Sequence, residues 1–171
     1  MNTPKTHADP VLAQLDAAAR APVFGRRAAE LVQKLQRQLN ESPETPMTWE
    51  PVPLTTFDRS LPAEIGSCWV FVLRPGTALP AERHSNSHQR SLSLEGSARF
   101  ELREGGRWVS HAIEPGSWAS APTGTWHRWF AGSAPLALLS FHTVAAEDLL
   151  EEHPARPDEY DGPTTGRRYQ E

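Results

Sequence analysis

Gly116-Ser117-Trp118-Ala119-Ser120-Ala121-Pro122-Thr123-Gly124-Thr125-Trp126-His127 is the stretch that decides how this chain is read. Its pattern is G-x5-P-x-G-x2-H. Gly116 permits a tight turn into a strand, and Pro122 with Gly124 bends the chain at that strand's far end. The bend delivers His127 onto the next strand, where an inward imidazole can bind a metal. Upstream stands a second spaced set, Gly76-x5-Glu82-x-His84-x4-Gln89-x6-Gly96. Glu82 and His84 are two residues apart, so on a strand both side chains point to one face.

Taken together, the two sets resemble the paired motifs of the cupin superfamily, and the resemblance runs from Leu73 to Phe130. In the usual first motif two His and one Glu are metal ligands. Here Glu82 stands in place of the first His and Gln89 in place of the Glu, while Ala131 replaces the Asn that often closes the second motif. The resemblance implies a mainly β fold, a cupin-type double-stranded β-helix (a jelly-roll barrel). It also implies a divalent metal held by Glu82, His84 and His127. Two imidazoles and one carboxylate make the facial set of non-haem Fe(II) oxygenases, and Zn, Mn or Ni would accept the same donors.

A rival set stays open at this stage. His88 lies beside Gln89, and His84-x3-His88 matches the usual His-x3-Glu separation. Four extended residues span roughly 13 Å, too far for one ion, but a turn at Ser85-Asn86-Ser87 would shorten that span. If Gln89 faces inward, so do Ser91 and Ser93; if His88 does, Leu92 and Leu94 join it. The residue that faces the metal, Gln89 or His88, would orient a bound group or relay protons to it.

The rest of the chain frames this barrel. Asp9-Pro10 reads as an N-cap and first helical position, opening a helix to about Arg20. A second helix runs from Pro22 to about Asn40, with Phe24, Ala28, Leu31, Val32, Leu35 and Leu39 on one face. Residues 1–45 therefore form an N-terminal helical pair, packed on the barrel or on a partner subunit, and the prolines of 46–66 mark an extended connector. From Ser67 the period becomes alternating, with Trp69, Phe71 and Leu73 opposite Val70 and Val72. Glu104-Gly105-Gly106 signals a hairpin. The barrel is expected over 67–144, and 145–171 is expected to be a short C-terminal helix followed by a mobile tail.

Composition narrows the function. A net charge of −4 with no Lys/Arg stripe points away from nucleic acid. No apolar run reaches membrane-spanning length and the first thirty residues lack a signal core, so the expectation is a cytoplasmic protein with no membrane contact. The lone cysteine, Cys68, sits in an apolar strand and reads as a buried, inert thiol. Trp129 shares a face with His127 and is expected to wall a substrate pocket, with His142 and Arg90 as further lining candidates; Arg99 and Arg128 are alternative clamps for a carboxylate. His7, His111 and His153 read as surface or hydrogen-bonded residues. The resulting expectation is a metal-dependent enzyme for a small aromatic or anionic molecule, foremost an Fe(II) dioxygenase. A metal-dependent lyase or isomerase and a non-catalytic sensing module are the alternatives. An apolar helix face and six tryptophans point to a homodimer.

Overall fold

The structure is a computed structural model describing residues 9–168. His7 lies outside the described residues. Two helices come first, α1 (Pro10–Ala19) and α2 (Pro22–Glu41). Asp9 caps α1 by accepting from the Val11 N–H at 3.0 Å, and Pro10 begins the helix where no N–H is needed. The connector contributes a strand, β1 (Met47–Pro51). There follow β2 (Ser67–Leu73), β3 (Gln89–Glu95), β4 (Ala98–Glu104), β5 (Arg107–Ile113), β6 (Trp118–Ala121), β7 (His127–Ala131) and β8 (Leu136–His142). All their pairings are antiparallel, giving one sheet in the order β1-β2-β8-β3-β6 and another in the order β5-β4-β7.

The two sheets face each other across an apolar interior built by Trp69, Phe71, Leu73 and Leu138 from one side and Phe100, Leu102 and Trp129 from the other. The larger sheet is apolar on both faces, because α2 lies on its outside. Phe24, Val32, Leu35 and Leu39 pack there against Val70, Val72, Leu139 and Phe141. Every residue of β2 and β8 is therefore buried. The helix face predicted to seek the barrel or a partner is used by the chain's own barrel. The motif glycines do what the spacing asks: Gly96 adopts φ 77°, and a Cβ there would meet the Pro135 carbonyl oxygen at 2.2 Å.

The C-terminal expectation needs correcting. Only a single 3-10 turn, Ala146–Asp148, stands where a helix was expected. It is followed by a hairpin of β9 (Leu150–Pro154) and β10 (Thr164–Arg168), which pair with each other as a separate two-stranded sheet. Its loop is docked by Tyr160, which meets Trp126 and Trp108 edge-on and gives its carbonyl to the Trp126 indole N–H. No helix among the described residues is long and apolar enough to cross a membrane.

Candidate metal centre

The chain between β2 and β3 runs through the space between the start of β7 and the start of β9. Glu82 and His127 pair backbone to backbone, each donating its N–H to the other's carbonyl at 2.9 and 2.8 Å. The turn at Pro122/Gly124 closes the same junction, since the Gly124 N–H donates to the His84 carbonyl at 2.8 Å. The two spaced motifs thus meet physically, and the side chains of Glu82, His84 and His127 converge inside the barrel with their ligand atoms within 4.8 Å of one another.

Backbone carbonyls set the imidazole tautomers. His84 donates from Nδ1 to the Leu150 carbonyl at 2.8 Å, and His127 donates from Nδ1 to the Thr125 carbonyl at 3.1 Å. With the proton held on Nδ1, each ring in its neutral form would turn its Nε2 lone pair to an ion at the centre. The His127 Nε2 lies 3.3 Å from the Glu82 Oε1 and the His84 Nε2 lies 4.0 Å from it. Gln89 adds a fourth oxygen: its amide donates to the Ser91 hydroxyl at 3.1 Å, which turns Oε1 to within 3.1 Å of the His84 Nε2. Ser91 in turn contacts the Ser140 hydroxyl at 2.7 Å.

Two imidazole nitrogens, a carboxylate and an amide oxygen facing one another make a donor set that a cation would satisfy. Ligands at 2.0–2.2 Å from one ion stand about 3.0–3.6 Å apart; the His127–Glu82 spacing of 3.3 Å falls in that range, and the His84–Glu82 spacing of 4.0 Å would have to close slightly around an ion. His84 is 3% exposed and His127 0%, so bulk water cannot satisfy these lone pairs. Burial pushes the Glu82 carboxyl up, but His127 beside it and the charge of His84 pull harder, leaving it below the ordinary carboxylate value. Burial also pulls His84 below the usual imidazole value, which favours the neutral, ligating form. The residues present therefore fit a divalent ion.

A cavity of about 240 Å³ opens from this cluster. Phe71, Leu73, Leu79, Leu138, Met47 and Trp129 form its apolar wall, and Ser140 and His142 add polar lining. His142 is fully buried, has no hydrogen-bond partner on either ring nitrogen among the described residues, meets His84 edge-on at 5.0 Å, and is pulled well below the usual imidazole value by burial.

No family model matches the sequence, and no curated protein does. Solved structures do match. An oxalate oxidase in complex with the substrate analogue glycolate aligns over 60% of this chain and 53% of its own, with TM-score 0.50 and 14% identity. A mutant of Bacillus subtilis oxalate decarboxylase OxdC aligns over 61% of this chain and 27% of its own, with TM-score 0.52 and 19% identity. This chain has the cupin fold. It spans about half the length of the first of these chains and about a quarter of the second, and at such identities the likeness speaks for the fold alone.

On this cupin barrel Glu82, His84, Gln89 and His127 meet at one centre, whereas His88 and Arg90 do not. That is a correction to two expected site residues. Strand β3 stays extended, so Gln89, Ser91 and Ser93 point inward and His88 and Arg90 point out beneath the helices. Arg90 donates to Glu64 at 2.9 Å and pairs with Asp9 at 3.6 Å. His88 sits in the same outer pocket, held below the usual imidazole value by burial and by Arg90. Leu92 and Leu94 lie on this side too, packed in the helix-covered cluster. Arg99 and Arg128 likewise face outward, around the Glu101 carboxylate.

Three cavity residues escaped the sequence reading because they lie on the hairpin: Glu151, His153 and Arg167. His153 donates from Nδ1 to the Ala81 carbonyl at 2.9 Å and from Nε2 to the Glu151 carboxylate at 2.8 Å, so it carries both protons. The Glu151 contact raises its pKa above the ordinary value. Arg167 donates to the same Glu151 oxygen from Nε and Nη2, at 3.1 and 2.8 Å. Glu82, Glu151 and His153 also cluster, but His153 and Arg167 already answer the Glu151 charge there. Leu150-Glu151-Glu152-His153 has one apolar residue followed by three polar ones, so no alternation marks a strand there.

Proposed function

We propose that this chain is a mononuclear metal-dependent cupin enzyme acting on a small organic molecule, working as an Fe(II) dioxygenase. The observation that carries the reading is the meeting of the Glu82 carboxylate with the Nε2 atoms of His84 and His127 at one end of a mainly apolar cavity, both rings anchored through Nδ1 to backbone carbonyls. Glu82, His84 and His127 would hold the ion. A bound divalent ion supplies open coordination positions and Lewis acidity, and Fe(II) adds redox chemistry; Mn, Zn and Ni suit the same donors. Gln89, its amide turned by Ser91, orients a group at that centre. His142, kept neutral, offers one N–H and one lone pair to a ligand in the cavity. Trp129, Phe71 and Leu138 exclude water and receive an apolar or aromatic body. His153 and Arg167 flank the Glu151 carboxylate at the cavity and offset its charge, so that with Glu82 engaged by the ion a polar or anionic group of the ligand would be tolerated there.

Metal-free protein reloaded with Fe(II), Mn(II), Zn(II) or Ni(II) and given a panel of small aromatic and aliphatic acids tests this. Oxygen uptake with Fe(II) alone is the expected result. Turnover without oxygen uptake would instead make the chain a lyase or isomerase, and ligand binding without turnover under every metal would make it a binding module. The proposal includes a homodimer paired along β1, an edge strand on which Trp49 is 43% exposed. Light scattering that gives a monomer at high micromolar concentration removes that part.

A further inference from the structure

The segment that carries Glu82 and His84 has two neighbours, and one of them is the C-terminal hairpin. Arg83 and Glu152 exchange backbone hydrogen bonds at 3.0 and 2.9 Å, so β9 runs antiparallel beside the ligand-bearing segment. The Leu150 carbonyl accepts the His84 Nδ1 proton. Asn86 spans the same junction from the other side: its Nδ2 donates to the Asp148 carbonyl at 2.6 Å, and its Oδ1 accepts from the Leu150 N–H at 3.2 Å. The Arg83 guanidinium reaches the Glu152 carboxylate at 3.3 Å, and His153 donates to the Ala81 carbonyl. Residues 81, 83, 84 and 86 are thus all held by 148–153. Among the described residues, β9 and β10 form a two-stranded sheet of their own and neither is paired to a barrel strand.

We propose that the hairpin of residues 150–168 is a latch that positions His84 for the ion, with Asn86 as its tether, so that metal binding and hairpin docking are coupled. The inference rests on reading Glu82, His84 and His127 as the metal ligands. Its physical basis is the tautomer. Docked, the Leu150 carbonyl holds the His84 proton on Nδ1 and aims Nε2 at the centre; undocked, neither proton nor ring is fixed. Loss of such an outer partner typically costs about 10–100-fold in metal affinity. By linkage, the ion must strengthen hairpin docking by the same factor. Asn86 is a positioning residue, acting on the ion only through Leu150 and His84.

The test uses the full chain, stripped of metal and titrated with Co(II) against a competing chelator. Asn86→Ala is expected to weaken Co(II) about 10–100-fold and to change the visible Co(II) spectrum. Asn86→Asp keeps the acceptor for the Leu150 N–H and should recover part of the loss. In the unaltered protein, Zn(II) should slow hydrogen exchange of the 150–168 amides at least about tenfold while leaving β2 and β8 unchanged. This second readout needs no variant to fold. Tight Co(II) binding with unchanged affinity in Asn86→Ala, or with no added protection of the hairpin, overturns the latch and leaves the metal reading intact. Absence of Co(II) binding by the unaltered chain overturns both.

Discussion

The start of β7 and the start of β9 border the ligand-bearing segment in nearly the same way, yet they differ in what holds them. Strand β7 is paired along its length to β4 and buries Trp129 in the barrel interior. Among the described residues, strand β9 is paired along its length only to β10, whose residues are mostly exposed, and meets the ligand-bearing segment at the single Arg83–Glu152 bridge. Each supplies backbone hydrogen bonds to residues 82–84 and a carbonyl that sets one imidazole tautomer. One wall of the site thus belongs to the cooperative core and the other to a peripheral two-stranded ribbon, a form that is marginal on its own. If the latch proposal holds, the β7 wall should keep its order without the ion and the β9 wall should lose some of it.

The sharpest break in this comparison comes from residues that differ only in the face they occupy. Glu82→Ala should lower metal affinity at least about a hundredfold, because it removes the charged member of a three-ligand set. His88→Ala, on the outer face, should leave affinity within about twofold, outside the range ascribed to residues that orient ligands. Chelator competition on both variants measures the contrast. Stability should separate the two walls next. Leu139→Ala, in a fully buried barrel strand, should cost about 2–5 kcal/mol in denaturant unfolding, whereas Thr165→Ala on the exposed ribbon should stay within about 0.5 kcal/mol.

Those contrasts also show what the chain discloses about itself. The barrel was legible because its turns need particular backbone conformations and its strands alternate, so Gly96, Gly116 and the Pro122/Gly124 bend mark strand ends without ambiguity. The orientation of β3 was not. An outward row of Leu92 and Leu94 resembles an interior row when a helix lies over it, and only the packing of α2 separates the two. The hairpin was illegible for a different reason. Its strands are short and charged, and Glu152 and His153 find Arg83 and the Ala81 carbonyl across the fold rather than along the chain. The short helix expected at the start of 145–171 does not form, and the backbone groups of Asp148, Leu150 and Glu152 are instead engaged by Asn86, His84 and Arg83.

Acid gives a smaller and more local contrast. Burial raises the Glu152 carboxyl, but hydrogen bonds from Ser85, Thr164 and Arg83 outweigh it, and its pKa falls below the ordinary 4.5. A carboxyl lowered in the folded state stabilises docking above its unfolded value, and that contribution fades as pH falls through the lowered one. In metal-free protein, hairpin amides should therefore lose exchange protection below about pH 4.5 before barrel amides do. Equal loss in both regions would mean that the hairpin is part of the barrel's cooperative unit.

The measurement closest to the central claim is elemental analysis of protein purified without a metal-affinity tag, alongside His84→Ala and His127→Ala. The account requires about one divalent ion per chain in the unaltered protein and loss of that ion in both variants, since removing one imidazole leaves too few ligands for retention. Undiminished metal in both variants would contradict the site, and a metal-free unaltered protein that takes up none of Fe(II), Mn(II), Zn(II) or Ni(II) on reloading would contradict the metalloenzyme itself.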